Sequence, residues 1–170
     1  NAIYLGTGNG GVWDHQLRSD GIGDNLFLGS IVALDADTGN YRWHYQVMPE
    51  ESWDYNAAMD IVLADLEIKG ETKKVLMQAP KNGFLYVIDR QTGKLIGADK
   101  FSKSNWASKI DLETGRPVMG EAADFQKSPK HLWPGPIGAH NWQAMAYSPK
   151  QKLVYIPEMQ HGATYIKSEM

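Results

Sequence analysis

A repeated turn sequence constrains the fold more than any other feature of this chain. The segment ALDADTG at 33–39 recurs as VIDRQTG at 87–93, and IDLETG at 110–115 is a partial third copy. In such a turn the Asp and Thr side chains hydrogen-bond the local backbone, and the Gly accepts a positive φ. Repeats of about 40–55 residues that contain several short strands predict the blades of a β-propeller.

Strand-like runs flank the first two of these turns and two further hairpin turns, at 69–72 and 148–151, whereas no stretch has the periodicity of an amphipathic helix. Residues 101–137 are the least regular, and we expect them to form a long excursion over the propeller face. The chain is expected to be one domain over residues 1–170. The predicted strands are Ala2–Gly6, Gly29–Asp35, Tyr41–Val47, Ile61–Ile68, Lys74–Gln78, Phe84–Asp89, Lys94–Ala98 and Lys152–Pro157.

Composition excludes several classes of function. The net charge of −3 and the pI near 5.9 give no reason to expect a nucleic-acid partner. No apolar run approaches the roughly 18 residues of a membrane span. The absence of cysteine excludes disulfides and covalent haem attachment within these residues. The chain begins at Asn1 without a signal-like segment, so we expect the natural N-terminus to lie upstream.

Four short strings each place one polar group at the end of a strand-like run, which is where chemistry usually sits on a rigid scaffold. They are Gly6–Asn9, Trp53–Tyr55, Pro80–Gly83 and Gly138–Trp142. Each string alone also has a purely structural interpretation.

On that structural interpretation, Asn9 is a turn residue and Lys81 an exposed turn lysine. Asp54 would then belong, with Glu50 and Glu51, to a solvated acidic loop. Trp142 is equally well explained as a ring wedged between blades.

In this order the four strings resemble the quinoprotein alcohol dehydrogenases of the methanol/ethanol type, β-propellers that carry pyrroloquinoline quinone (PQQ) and calcium. The resemblance runs from about Asn1 to Tyr165. It implies an all-β fold in which the chain forms about three blades of an eight-bladed propeller, with exposed apolar surface where other blades would pack. Trp43, which follows the first turn, is similar to the family's docking tryptophan, whereas the equivalent position in the second copy is Gly97.

The resemblance also assigns roles to individual residues. It implies that Asp54 is the catalytic base and a metal ligand, and that Asn9 is the amide ligand of the active-site calcium. Lys81 would contact the quinone oxygens, and a lysine at this position looks more like the ethanol-type, haem-containing branch. Asn141 and Trp142 would contact the PQQ.

The implied activity is oxidation of a small alcohol to an aldehyde by hydride transfer to PQQ. The resemblance further implies a cytochrome c-type electron acceptor, a haem c domain downstream in some members, and a periplasmic location. The family's calcium-binding Glu, adjacent-cysteine ring and stacking Trp have no counterpart here, so we expect the isolated chain to bind PQQ weakly or not at all.

Two alternatives remain open from the sequence. A non-catalytic β-propeller scaffold would need the repeated turns and Trp43, but it has no use for Asn9, Asp54, Lys81 and Asn141 together. A membrane-bound sugar dehydrogenase of the same superfamily is disfavoured by the alcohol-type strings.

Overall fold

The secondary structure is almost entirely β. The computed structural model describes residues 1–167, and none of the helices in that range is long and apolar enough to cross a membrane. The helices are α1 (His15–Ser19) and a 3-10 turn (Glu121–Ala123). The strands are β1 (Ala2–Gly6), β2 (Ser30–Asp35), β3 (Tyr41–Gln46), β4 (Val62–Ile68), β5 (Glu71–Gln78), β6 (Phe84–Asp89), β7 (Leu95–Lys100), β8 (Ala107–Ile110), β9 (Pro117–Met119), β10 (Lys130–Leu132), β11 (Ala146–Ser148), β12 (Leu153–Tyr155) and β13 (Ala163–Tyr165).

Antiparallel neighbours along the chain build the sheets. Strands β4-β5-β6-β7 form a four-stranded meander, and β1-β2-β3 form a three-stranded one. Hairpins β8-β9 and β11-β12 follow, and β10 pairs with β13. A four-stranded antiparallel meander is the unit from which propeller blades are built.

The three repeated turns have the same local structure. In each, one carboxylate oxygen of the leading Asp accepts the backbone N–H groups two and three residues further on, at 2.8–3.0 Å. The closing glycines Gly39, Gly93 and Gly115 have φ of 74°, 76° and 72°. The turn chemistry predicted from the sequence is therefore confirmed in all three copies, and each turn closes a hairpin.

Aromatic side chains of the first sheet pack onto the other two repeated turns, those of hairpins β6-β7 and β8-β9. The Trp43 indole of β3 lies against Gly93, and its Nε1 donates to the Arg90 carbonyl at 3.3 Å. Tyr45, two residues further along β3, packs under Gly115 and donates its hydroxyl to that carbonyl at 2.7 Å. The predicted docking of Trp43 between neighbouring sheets is confirmed, and Tyr45 provides a second docking contact that the repeat did not reveal.

The core lies between the first two sheets and the segment that follows them. Its largest fully buried side chains include Trp106, Tyr55, Tyr86 and Phe84. The Trp106 ring lies edge-on to Phe84 at 5.7 Å, and its Nε1 donates to a loop carbonyl at 2.7 Å. By contrast, large apolar side chains of β1 remain about half exposed, as expected for a sheet face with no partner among residues 1–167.

Residues 101–137 are more regular than the sequence predicts. They contain the β8-β9 hairpin, the 3-10 turn and strand β10, and Trp106 and Leu132 bury their side chains completely. The difference arises because the third turn copy closes a hairpin even though its strands are short. The short helix α1 was also not predicted, because five residues are too few to show helical periodicity.

Candidate active site

Asp54 and Lys81 meet in an ion pair at the ends of two different sheets. Asp54 lies in the loop between β3 and β4, and Lys81 in the loop between β5 and β6. The Lys81 Nζ is 3.0 Å from the Asp54 Oδ2, and the two side chains are only 8% and 17% exposed. Because a buried charge without its partner is strongly unfavourable, the two residues depend on each other.

The backbone around Asp54 is held by a neighbouring carboxylate. Asp54 has a left-handed φ of 63°, which is uncommon for a residue other than glycine. The Glu51 Oε1 accepts the N–H groups of Trp53 and Tyr55, the residues on either side of Asp54, at 2.8 Å each. The interpretation of Glu51 as part of a solvated acidic loop is wrong, because Glu51 is completely buried; Glu50 is exposed, as expected.

Burial is the largest influence on the pKa of Glu51. Removal from water raises the pKa of its carboxyl group, and the amide donors from Tyr55 and Trp53 oppose that shift only in part. Nearby, burial also raises the pKa of Tyr165, with the negative charges of Asp54 and Glu51 adding to the effect. The site therefore contains two carboxyl groups in different environments, one paired with an ammonium and one fully enclosed.

The side chains that flank Asp54 anchor this loop to the later part of the chain. The Trp53 indole N–H donates to the Ala123 carbonyl at 3.2 Å, and the Tyr55 hydroxyl donates to the Pro134 carbonyl. The Tyr165 hydroxyl donates to the Trp53 carbonyl at 2.8 Å. Residues beyond the second sheet thus help to fix the Asp54 loop, which the sequence did not indicate.

The loop of Lys81 is fixed by the segment that follows Gly138. The Ala139 N–H donates to the Lys81 carbonyl at 2.9 Å. Gly138 has a φ of 91°, and a Cβ there would lie 2.5 Å from the Lys81 Cγ, so only glycine fits. The ring nitrogens of the fully buried His140 lie 2.6 Å from the Ala79 carbonyl oxygen and 2.5 Å from that of Gln143.

The other predicted site residues lie on adjoining loops but do not bond to the ion pair. The Asn9 loop is joined to the Asp54 loop by the Ala57 N–H, which donates to the Thr7 carbonyl at 2.9 Å. The side-chain amide of Asn9 donates to the Gly10 carbonyl, and that of Asn141 to the Ile137 carbonyl.

Trp142 is 83% exposed, so in this structure it does not wedge between blades. The interpretation of Trp142 as a ring between blades of the complete propeller stays a prediction. The exposed indole follows Asn141 at the same edge as the Lys81 loop.

These side chains fit part of a calcium and quinone site. Among residues 1–167, the Oδ1 atoms of Asn9 and Asp54 accept no hydrogen bond, and hard oxygens of this kind are the ligands that calcium prefers. The Lys81 ammonium has three N–H donors, of which the contact with Asp54 uses one. Residues 1–167 contain no group of three or more His, Asp or Glu side chains placed to hold a metal ion.

Comparison with known proteins identifies the family. Residues 1–99 match the model of the PQQ-type β-propeller domain of glucose, ethanol and alcohol dehydrogenases. The chain belongs to this family. The resemblance that the four strings indicated is therefore confirmed.

Individual members of the family agree with that assignment. The chain is 54% identical over 163 residues to the quinohemoprotein alcohol dehydrogenase ADH IIB of Pseudomonas putida, covering 96% of this chain and 24% of that protein. It superimposes on the structure of ADHIIG from the same organism with a TM-score of 0.97, at 48% identity, covering 100% of this chain and 25% of that one.

A europium-containing methanol dehydrogenase gives a TM-score of 0.87 at 39% identity, covering 92% of this chain and 27% of that one. The chain thus spans about a quarter of the length of the relatives it matches. The fold is that of part of a quinoprotein β-propeller, as predicted.

Proposed function

We propose that this chain is part of a PQQ-dependent alcohol dehydrogenase that oxidises alcohols to aldehydes, with Asp54 as the general base. The observation that carries the proposal is the Asp54–Lys81 ion pair, almost buried at the loop edge of a quinoprotein propeller. A scaffold protein would gain little from this pair, since burying two charges costs more free energy than apolar packing of similar volume.

The geometry leaves one oxygen of Asp54 available for the substrate. Lys81 binds the Oδ2, and the Oδ1 accepts no hydrogen bond from residues 1–167. A carboxylate in this state can accept the hydroxyl proton of an alcohol while hydride leaves the adjacent carbon. The rings of Trp53 and Tyr55 stack on each other at 6.3 Å and are buried, and the low exposure of this loop strengthens the electrostatic interactions there.

PQQ, when bound with calcium, supplies the acceptor for the hydride of the alcohol carbon. Asn9 and Asp54 would provide calcium ligands through their side-chain oxygens. Lys81 would direct its remaining N–H donors to the quinone oxygens. Asn141 and the exposed indole of Trp142 would contact the cofactor from the neighbouring loop.

We further propose a cytochrome c-type electron acceptor and a periplasmic location for the whole protein. Family membership and the description of relatives as quinohemoproteins support both. The same relatives support a haem c domain elsewhere in the protein.

A graft tests the proposal. Residues 1–170 would replace the matching segment of the P. putida enzyme ADH-IIG, which is 51% identical to this chain over 168 residues. The graft, supplied with PQQ and calcium, is expected to convert ethanol to acetaldehyde in the presence of an electron-accepting dye.

Asp54→Asn should lower kcat by about 10²–10⁴-fold, the usual contribution of a general base. Asp99→Asn makes the same carboxylate-to-amide replacement at an exposed position on β7 and should leave the rate unchanged. A graft that binds PQQ but turns over ethanol equally well with and without the Asp54 carboxylate would contradict the proposed role of this residue.

A further inference from the structure

Glu51 is a fully buried carboxyl group for which family membership provides no role. Its Oε1 accepts two backbone N–H groups, and its Oε2 is buried without any hydrogen-bond partner in residues 1–167. Buried polar atoms are nearly always paired, so an unpaired carboxyl oxygen calls for an explanation. If packing alone were required, an apolar side chain of similar size would fill the space without that unfavourable atom.

The two bonds of Glu51 reach the amides on both sides of Asp54. Asp54 itself has a φ of 63°, a left-handed conformation that is unfavourable for most residues with a Cβ and that bonds to the neighbouring backbone help to maintain. The Tyr55 N–H belongs to the peptide plane that leaves Asp54, so its bond to Glu51 fixes that plane, and the bond to the Trp53 N–H fixes the plane one residue before the one that enters Asp54. The fixed backbone sets the direction of the Asp54 Cα–Cβ bond, and the contact with Lys81 then orients the carboxylate.

Other contacts hold the loop at different points. The Tyr165 hydroxyl binds the Trp53 carbonyl, and the indole of Trp53 and hydroxyl of Tyr55 reach carbonyls of later segments. The Tyr165 contact fixes the peptide plane that enters Asp54, and the other two contacts anchor the side chains of Trp53 and Tyr55. In residues 1–167, Glu51 is the side chain that binds the flanking amides themselves.

We propose that Glu51 is a positioning residue for Asp54. Its carboxyl group fixes the peptide plane that follows Asp54 and the backbone just before it. It thereby helps to keep the Asp54 carboxylate 3.0 Å from the Lys81 ammonium, with the other carboxylate oxygen open to the alcohol. Glu51 acts through the backbone and does not touch the substrate. The claim that this arrangement serves catalysis rests on the function proposed above. The claim that Glu51 fixes the backbone of the Asp54 loop does not depend on that function.

Amide hydrogen exchange tests, independently of catalysis, whether Glu51 fixes the backbone of the Asp54 loop. The graft without PQQ would be compared with its Glu51→Ala and Glu51→Gln variants, with peptides covering 50–57 and 71–78 followed by mass spectrometry. Exchange of the Trp53 and Tyr55 amides should be faster in Glu51→Ala and close to the original in Glu51→Gln, because glutamine keeps the accepting oxygen. Strand β5, at 71–78, should be unchanged and shows that the fold is intact.

Kinetics of the loaded graft test the catalytic purpose. Glu51→Ala should lower kcat for ethanol by about 10–10²-fold with a smaller change in KM, since a misplacement of about 1 Å has effects of that size. Glu51→Gln should recover most of the loss. Glu50→Ala is the matched control, because Glu50 is the exposed neighbour in the same loop and should keep the full rate.

The outcomes separate the two proposals. If Glu51→Ala exchanges and turns over like the original graft while Asp54→Asn is inactive, the positioning role is overturned and the proposed function stands. If Glu51→Gln is as impaired as Glu51→Ala in both measurements, the accepting oxygen is not what matters and the positioning role is also overturned. If Asp54→Asn retains full activity, the proposed function fails, and the catalytic purpose of Glu51 fails with it.

Discussion

The three repeated turns allow the docking of aromatic rings to be measured by one substitution made three times. Gly39, Gly93 and Gly115 have nearly the same φ, so alanine introduces the same left-handed strain at each, about 1–2 kcal/mol. Their surroundings differ. A Cβ at Gly39 meets nothing within 4 Å, one at Gly115 lies 3.2 Å from the Tyr45 ring, and one at Gly93 lies 2.8 Å from the Trp43 ring.

We therefore expect graded losses of stability. Gly39→Ala should cost only the backbone strain. Gly93→Ala should cost an additional ~1–3 kcal/mol, typical of overpacking, because the Trp43 ring must move away from the turn and from the Arg90 carbonyl. Gly115→Ala should lie between them, since a contact of 3.2 Å is relieved by a small shift of the Tyr45 ring.

The assay is the free energy of local opening from amide exchange in the graft, with peptides that cover each turn and its two strands. The Gly39→Ala variant serves as the matched control for the other two, since it carries the strain without the clash. Equal losses at all three turns would refute the docking argument, because backbone strain alone would then account for the data. A larger loss at Gly39 than at Gly93 would refute it as well.

Further predictions concern individual charged groups. Lys81→Met should destabilise the graft by about 3–5 kcal/mol by leaving the Asp54 carboxylate buried without its partner, and adding Asp54→Asn should restore part of that loss in thermal unfolding. Burial raises the Glu51 pKa above its ordinary 4.5. The free energy of unfolding of the original graft, relative to that of Glu51→Gln, should therefore fall as the pH rises above 4.5. Arg116 lowers the pKa of Asp24 through two hydrogen bonds, at 2.7 and 2.8 Å. Because both side chains are at least a third exposed, Arg116→Ala should lower the free energy of unfolding by less than ~1 kcal/mol. That loss should be smaller at high salt.

The sequence predicted the parts of the fold that depend on local chemistry. The Asp-x-x-Thr-Gly turns form through bonds within a few residues, so their three copies are recognisable without tertiary information. The strands beside the first two copies were placed to within about two residues for the same reason, whereas β8 and β9, beside the third copy, were not predicted. The hairpin at 69–72 is tighter than predicted, since Lys69 and Gly70 both take positive φ and Glu71 already belongs to β5.

Contacts between distant segments could not be predicted in this way. Nothing in the local pattern distinguishes Glu51 from the exposed Glu50, because its burial results from the packing of Trp53 and Tyr55 against segments that lie about 70–80 residues further on. The contact between Asp54 and Lys81 likewise depends on how two sheets meet. The roles of these two residues were proposed from family resemblance, and the structure supplies their proximity.

A single-turnover experiment tests the central claim most directly. The graft loaded with PQQ and calcium would be mixed with ethanol in the absence of any electron acceptor, and acetaldehyde would be measured per bound PQQ. The account predicts about one aldehyde per cofactor, formed rapidly, and a rate lower by about 10²–10⁴-fold for Asp54→Asn at equal PQQ content. Rapid formation of the same amount of aldehyde by the Asp54→Asn graft would show that Asp54 is not the base and would contradict the account.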